Sequence, residues 1–216
     1  MSKPIFITGI GTEIGKTVVS SLVTTALKAN YWKPIQAGFE EGADADKVAS
    51  LAKLRSPDTQ IFPEVYRLSI PASPHIAARK DNITIDLDKI MEAFQLIQLQ
   101  SANHLIIEGA GGLMVPVNQH QFVANIIQQL QAKVILVSRN YLGSINHSLL
   151  TAAVCKQLNL DVIGWIFNDE FMQYEEEIVE WSGYPKIASI PTLNITDNQS
   201  LLQQALLLEP QLRKFI

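Results

Sequence analysis

The sequence has few of the features that mark secreted, membrane-embedded or nucleic-acid-binding proteins. Its 216 residues include one cysteine, Cys155, so no disulfide can form within the chain. No apolar run approaches the ~18 residues that a membrane-spanning helix needs, and the chain begins with a strand-like "PIFIT" in place of a signal peptide. The 17 lysines and arginines are spread along the chain, and the net charge is −4. These absences argue against nucleic-acid and membrane partners and predict a cytoplasmic protein that binds a small molecule.

What the sequence does contain is the composition of a compact globular protein. Hydrophobic residues make up 47% of the chain and charged residues 18%, a balance that leaves little room for disordered tails. The length is near the upper edge of one domain. Internal repeats and Gly/Ser linkers are absent from the sequence. We therefore expect a single domain over residues 1–216.

Short apolar runs alternate with longer segments of helical period, the pattern of strand–helix units around a buried parallel sheet. The clearest strands are "PIFIT", "HLIIEG", "KVILVS" and "DVIGWIF". Helices are predicted at 16–29, 86–101, 122–131, 146–158, 174–181 and 199–208. The pattern predicts an α/β three-layer sandwich with a mostly parallel sheet. Ligands of such folds bind at the carboxyl ends of the strands, so the turns there should carry the chemistry.

The stretch "GIGTEIGKTVV" follows the first strand and opens the first helix. Aligned N–H groups at a helix start suit phosphate oxygens, Lys16 would neutralise the outer phosphates, and the Thr17 hydroxyl would bind Mg²⁺. This is a P-loop NTPase-like arrangement. The common pattern needs a glycine where Ile10 stands, whereas here the glycine is Gly9 and the loop is one residue longer. The alternative is a plain glycine turn with a solvated lysine.

A magnesium site needs further oxygen ligands. Glu108 ends the strand "HLIIEG" beside "GAGG", whose glycines permit close approach of a ligand; alternatively it is a strand-end carboxylate that faces water. Asp44 and Asp46 begin a helix in "GADADKVASLA", where either could be only an N-cap. Position in the sequence does not decide between these two.

At this point the motifs resemble a known family. The segments "TGIGTEIGKT", "KPIQAG", "SPHIAA", "EGAGGLMVP", "LGSINHSLLT" and "GWIFND" occur in order over nearly the whole chain and are similar to dethiobiotin synthase, including its longer phosphate loop. The resemblance implies an ATP- and Mg²⁺-dependent ligase that adds CO₂ across the two amines of diaminononanoate, through a carbamate and a carbamic–phosphoric anhydride. It also implies a homodimer with the substrate near the interface.

The resemblance further implies roles for individual residues. Lys33, Lys16 and Thr12 match the catalytic positions near the carbamate, and Thr17, Asp46 and Glu108 match the magnesium ligands, with Asp44 the less favoured of its pair. The positions that match the ATP-binding residues are Glu13, Ile14, Gly15, Lys16, Thr17, Val18, Asp46, Glu108, Gly109, Ala110, Gly111, Asn168, Asp169, Pro191, Thr192 and Leu193. Those that match substrate-binding residues are Ala37, Gly143, Ser144 and Asn146.

Two positions depart from the family pattern. Ala37 stands where some members have a serine that contacts the substrate, and the lost hydrogen bond costs about 0.5–1.5 kcal/mol, so activity should survive. Ala188 stands where many relatives have glycine. Asn168 is followed by Asp169 and Glu170, which is not the Asn-Lys-x-Asp signature of guanine binding, so ATP is favoured over GTP.

A different class, the nucleotide-dependent switches that position plasmids or division proteins, is the main alternative. Those proteins carry an additional lysine early in the phosphate loop, where this chain has Gly11. Other amide-forming synthases of the superfamily carry a glutamine-hydrolysing domain, for which this chain is too short. No histidine is assigned to a metal, Cys155 is expected to be an inert buried thiol, and residues 175–177 are expected to form a solvated helical face.

Overall fold

The computed structural model describes residues 3–39, 42–100, 103–169, 172–193 and 197–216. Within these ranges the strands are β1 (Ile5–Gly9), β2 (Asn30–Trp32), β3 (Ile35–Ala37), β4 (Ile61–Phe62), β5 (Tyr66–Leu68), β6 (Leu105–Glu108), β7 (Lys133–Arg139), β8 (Asp161–Asn168) and β9 (Lys186–Ile190). The helices are α1 (Lys16–Leu27), α2 (Asp44–Arg55), α3 (Pro74–Lys80), α4 (Leu87–Gln100), α5 (Val123–Leu130), α6 (Ser144–Gln157), α7 (Glu175–Ser182) and α8 (Asn198–Leu212).

Seven of these strands form one sheet in the order β4-β2-β6-β1-β7-β8-β9, and β3 and β5 form a separate pair. Every strand pairing in both sheets is parallel. Because parallel strands place their carboxyl ends on one edge, the turns after β1, β2 and β6 come together there. The sheet order therefore assembles the phosphate loop, the "KPIQAG" segment and Glu108 at one end of the fold.

Side chains alternate between the two faces of the sheet, as the pleat requires. Ile5 and Ile7 of β1 pack into a core beneath α1, α2 and α8, whereas Phe6 between them packs into a core beneath α4, α5, α6 and α7. The strands are apolar on both faces because helices cover both. The predicted three-layer α/β sandwich with a mostly parallel sheet is confirmed.

The short elements are those that the sequence patterns did not predict. These are the strands β2, β3, β4, β5 and β9 and the seven-residue helix α3. α1 ends at Leu27 and β2 begins at Asn30, so the predicted helix 16–29 was two residues too long at its C-terminal end. α6 begins two residues earlier than predicted, and α8 continues past Pro210 to Leu212. None of the described helices is long and apolar enough to cross a membrane.

The prediction that residues 175–177 form a solvated helical face is wrong for Glu175. Glu175 is buried at the start of α7, where it accepts a hydrogen bond from Ser189 Oγ and pairs with Lys186 Nζ at 3.5 Å. Both partners lie on β9, so the carboxylate joins the helix to the strand. Cys155 is fully buried, as expected, and burial raises the pKa of its thiol to about 12.

Candidate active site

The phosphate loop is held against its neighbours by two glycines that the packing requires. A Cβ on Gly9 would overlap the carbonyl oxygen of Val137 on β7, and the next residue, Ile10, donates its N–H to that oxygen at 3.1 Å. Gly15 has φ +88°, and a Cβ there would lie 2.8 Å from Asn168 Cγ. The glycine at position 9 therefore has a structural reason, the close approach of β1 to β7.

Lys16 opens α1 with its side chain buried inside the loop. Its Nζ donates to the carbonyl oxygen of Gly11 at 2.6 Å, so the ammonium lies within the turn that would surround a phosphate. Burial lowers the pKa of Lys16 to about 8, a shift that the nearby negative charge of Glu108 opposes. Functional sites often contain a buried lysine whose pKa is lowered in this way.

Glu108 lies at the centre of the site, at the end of β6 and only 1% exposed. One carboxylate oxygen, Oε1, accepts hydrogen bonds from Thr17 Oγ1 at 2.9 Å and from Lys33 Nζ at 3.1 Å, and Oε2 accepts from Tyr31 Oη at 3.0 Å. Burial, reinforced by the Glu108 charge, raises the pKa of Tyr31 well above its usual value. Both oxygens of the carboxylate are thus engaged by side chains from α1, from β2 and from the turn that follows β2.

Lys33 lies just beyond the end of β2 and joins Glu108 to the start of α2. Its Nζ also forms an ion pair and hydrogen bond with Asp44 Oδ2. Burial alone would lower the pKa of Lys33, but the charges of Glu108 and Asp44 outweigh burial and raise it. The same pairing holds the pKa of Asp44 below its usual value against the effect of burial.

The structure differs from the sequence-based preference between the two aspartates of α2. Asp44 lines the cleft and contacts Lys33, whereas Asp46 accepts a hydrogen bond from the backbone N–H of Ala43 at 3.3 Å. Successive helical residues are separated by 100°, so side chains two positions apart point in different directions. Asp46 thus caps the start of α2 from the third position of the helix, and Asp44 lies beside Lys33 and Thr17.

These residues line a cleft of about 630 Å³. The predicted site residues that line it are Thr12, Glu13, Gly15, Lys16, Thr17, Val18, Lys33, Ala37, Glu108, Ala110 and Gly111. Ile14 and Gly109 lie behind this lining: Ile14 is buried, and the N–H of Gly109 donates to the carbonyl oxygen of Ile7 at 2.9 Å. The cleft also contains residues that the sequence analysis did not name, above all Gln36, which is buried with its Oε1 unpartnered. Its place next to Ala37 in "KPIQAG" was the available signal.

The oxygen donors in the cleft fit a hard divalent cation. Thr17, Glu108 and Asp44 supply one hydroxyl and two carboxylates, the donor types that Mg²⁺ takes along with phosphate oxygens and water. Among residues 3–39, 42–100, 103–169, 172–193 and 197–216, no three or more His, Cys, Asp and Glu side chains are grouped so that they could hold a metal ion. The donor set therefore suits Mg²⁺ whose remaining ligands are water or phosphate oxygens.

The residues predicted to contact adenine lie beside the phosphate loop. Asn168 ends β8, and its Nδ2 donates to the carbonyl oxygen of Ile14 at 3.2 Å. β9 pairs with β8, and the N–H of Asp169 donates to the carbonyl oxygen of Ile190 at 3.0 Å. The strand pairing places Pro191, Thr192 and Leu193 at the neighbouring strand end, on the same edge of the sheet.

The structure does not bring Gly143, Ser144 and Asn146 into the cleft. Ser144 is buried at the start of α6, where its hydroxyl hydrogen-bonds to the hydroxyl of Tyr174 at 2.6 Å, and Gly143 has φ +102°. A smaller groove of about 310 Å³ does join this helix to the phosphate loop, with Thr12 on one side and His147 and Leu150 on the other. Leu142, next to Gly143, is 93% exposed.

Comparisons with known proteins identify relatives at both the sequence and the fold level. A family model described as an AAA domain matches residues 3–200. The ATP-dependent dethiobiotin synthetase BioD of Cytophaga hutchinsonii is 47% identical over 183 residues, which cover 84% of this chain and 85% of that protein. The BioD protein of Christiangramia forsetii is 45% identical over 87% of this chain and 86% of its own length, and that of Rhodopseudomonas palustris strain HaA2 is 41% identical over 89% and 87%.

Solved structures with the same fold include proteins of the alternative class. The ParA family ATPase of Chlorobium tepidum has a TM-score of 0.60 at 15% identity and covers 99% of this chain and 97% of its own. The cell division ATPase MinD of Pyrococcus furiosus has a TM-score of 0.62 at 13% identity and covers all of both chains. At such low identity the likeness shows a shared P-loop fold, whereas the relatives at 41–47% identity over most of the sequence show the family. The chain belongs to the dethiobiotin synthetase family.

Proposed function

We propose that this protein closes the ureido ring of dethiobiotin from 7,8-diaminononanoate, CO₂ and ATP, releasing ADP and phosphate. The observation that carries the proposal is the convergence of two buried lysines, Lys16 and Lys33, with Glu108 in one cleft at the phosphate loop. A reaction that passes through two anionic species on one substrate needs fixed positive charge at that place. The sequence relatives, all named dethiobiotin synthetases, support the same reaction.

The chemistry proceeds in three steps. One substrate amine attacks CO₂, forms a C–N bond and loses a proton, which leaves a carbamate anion. A carbamate oxygen then attacks the γ-phosphorus of ATP, ADP leaves, and a carbamic–phosphoric anhydride forms. The second amine attacks the carbonyl carbon and expels phosphate, which closes the ring. None of these steps needs a protein nucleophile, because catalysis consists of positioning and charge stabilisation.

The residues of the cleft would divide these tasks by position. Lys16, inside the phosphate loop, neutralises charge on the transferring phosphoryl group. Lys33, which pairs with Glu108 and Asp44 in the same cleft, neutralises the carbamate, and Thr12 lines both the cleft and the smaller groove. Thr17, Glu108 and Asp44 would hold Mg²⁺, which when bound offsets phosphate charge. The geometry supports Asp44 for this role in place of Asp46.

ATP would bind with its phosphates on residues 12–18 and its adenine beside Asn168. The amide of Asn168 can donate and accept at the adenine edge, and residues 191–193 lie on the adjacent strand end. Asp169 and the segment 109–111 flank these two regions. We propose that ATP binding and the whole reaction take place within this single domain, in the cytoplasm.

We further propose that the protein works as a homodimer. The side chains of Met114 and Leu150 line the small groove beside Thr12 and are exposed, and Leu142, next to Gly143, is also exposed. Exposed apolar side chains near a site are typical of an interface. A second copy seated there would bring its own Gly143, Ser144 and Asn146 near the first copy's substrate. The helix start at Gly143 offers N–H groups suited to the substrate carboxylate.

Oxygen transfer tests the proposed anhydride. If the reaction is run for a short time with ¹⁸O-labelled bicarbonate, the released phosphate should carry one ¹⁸O atom, because the carbamate oxygen becomes bonded to phosphorus. Water attack on ATP would leave the phosphate unlabelled from bicarbonate, and that result would contradict the mechanism.

A further inference from the structure

Lys33 occupies the space between the two carboxylates that would hold a divalent cation. Its Nζ pairs with Asp44 and lies 3.1 Å from Glu108 Oε1. The lysine side chain is only 8% exposed. An ammonium group in this position gives each carboxylate a positive partner without any bound ion.

The overlap with the proposed cation position follows from a shared atom. Glu108 Oε1 accepts the hydrogen bond from Thr17 Oγ1 as well as that from Lys33 Nζ. A cation that takes both Thr17 and Glu108 as ligands must lie close to this oxygen, where the ammonium now stands. Two positive groups at such a distance in a buried site repel each other strongly.

We propose that the Lys33 ammonium is an internal counter-ion that competes with the divalent cation for Asp44 and Glu108, so that cation binding releases Lys33 into the cleft. The part of this inference that concerns the cation stands on the geometry alone. Its consequence, that the released ammonium then reaches the carbamate, rests on the proposed function. Asp44 is in this view a positioning residue, since it keeps Lys33 out of the substrate space until the cation is loaded.

Competition has a thermodynamic signature that can be measured without substrate. Whatever Lys33 gains from the carboxylates in the cation-free protein is lost when the cation binds, so the apparent cation affinity is reduced by that amount. Removing the ammonium removes the competitor and leaves the Asp44 and Glu108 carboxylates without the buried positive charge between them. Cation affinity should therefore rise in such a variant, whereas loss of an ordinary site residue would lower it.

The test is the affinity of the nucleotide-free protein for Mn²⁺, followed by the loss of the free-ion electron paramagnetic resonance signal. Lys33→Met should bind Mn²⁺ at least about tenfold more tightly than wild type. The matched control is Lys47→Met, because Lys47 also faces Asp44, at 3.7 Å, but is 43% exposed on the surface of α2. This control should stay within about twofold of wild type, as expected of a solvent-screened pair. Equal or weaker binding by a folded Lys33→Met would overturn the inference.

A second measurement uses the wild-type chain and so does not depend on the folding of a variant. Carbamylation of individual lysines by cyanate is followed by mass spectrometry with and without Mn²⁺, with Lys47 as the reference in the same digest. Release of Lys33 should increase its modification several-fold relative to Lys47 when Mn²⁺ is added. No increase, or protection of Lys33, would contradict the release. Neither measurement contains ATP or the diamine, so failure here and failure of the proposed reaction are separate results.

Discussion

Replacing Gly15 with alanine should break the hydrogen bond between the phosphate loop and Asn168, the residue proposed to contact adenine. The backbone of Gly15 is left-handed, at φ +88°, and the new Cβ would overlap the amide of Asn168. An alanine in this conformation costs roughly 1–2 kcal/mol. The flexible Asn168 side chain must also turn away and give up its hydrogen bond to the carbonyl oxygen of Ile14, which adds about 1 kcal/mol.

Urea unfolding should therefore show a loss of about 2–3 kcal/mol for Gly15→Ala, and calorimetry should show weaker MgADP binding. Gly11→Ala is the matched control in the same loop, because a Cβ there meets no atom within 4 Å. It should cost less than about 0.5 kcal/mol, as surface substitutions do.

A double-mutant cycle isolates the contact itself. Asn168→Ala alone loses the hydrogen bond, and adding Gly15→Ala to it should then cost only the backbone term. The double variant should be more stable than the sum of the single effects by about 1 kcal/mol. If the two single losses of unfolding free energy simply add in the double variant, Asn168 and the loop do not interact through this contact.

The remaining predictions concern charge and burial. Lys16→Met should reduce kcat about 100-fold or more. The same variant should be more stable than wild type in urea at pH 7, because the pKa of Lys16 is lowered to about 8 in the folded protein and its buried ammonium destabilises the wild type below about pH 8. The difference in unfolding free energy should shrink as the pH rises toward 10.5, the ordinary pKa of lysine. Asp44→Asn should weaken Mg²⁺ activation at least about tenfold. Asp46→Asn should leave activation unchanged and cost about 0.3–1 kcal/mol of unfolding free energy, because the N-terminus of α2 loses a negative charge while the amide oxygen can still accept from the Ala43 N–H; the reverse pattern in a Mg²⁺ titration would assign the ligand to Asp46. Cys155, with its thiol pKa raised to about 12, should react with a disulfide reagent at pH 8 only as fast as the protein unfolds, and rapid labelling of the native protein would contradict its burial.

Like Lys16, the cleft residues Lys33 and Glu108 are buried at a cost to the stability of the fold. Lys16, Lys33 and Glu108 are all buried, and each isolated buried charge is costly. Lys33 and Glu108 offset this cost by pairing, whereas the hydrogen-bond partner of Lys16 among the described residues is a backbone carbonyl. The phosphate groups of a bound nucleotide would give Lys16 its missing partner, so we expect the nucleotide to stabilise the fold more than its contact area suggests.

Long, strongly patterned segments could be predicted from the sequence because their signals are local. The strands β1, β6, β7 and β8 are continuous apolar runs, and the phosphate loop is a contiguous motif, so neither needs knowledge of the tertiary structure. The strands β2 and β3 have three residues each, too few to establish a period. Their place in the fold is decided by neighbours distant in sequence.

Side-chain direction at the site could not be predicted for the same reason. Asp44 and Asp46 are equivalent in a linear pattern, and only the start of α2 relative to Lys33 distinguishes them. Glu175 belongs to a run of three glutamates that is typical of a solvated helical face, yet it pairs with Ser189 and Lys186, which lie on the strand β9. In both cases a contact between elements overrides the local pattern.

The central claim is tested most directly by the dependence of phosphate release on the diamine. Purified protein with MgATP and bicarbonate should release phosphate only when diaminononanoate is added, and mass spectrometry should find one dethiobiotin for each phosphate. Phosphate release that is independent of the diamine, without dethiobiotin, would contradict the ligase and point to a nucleotide-dependent switch.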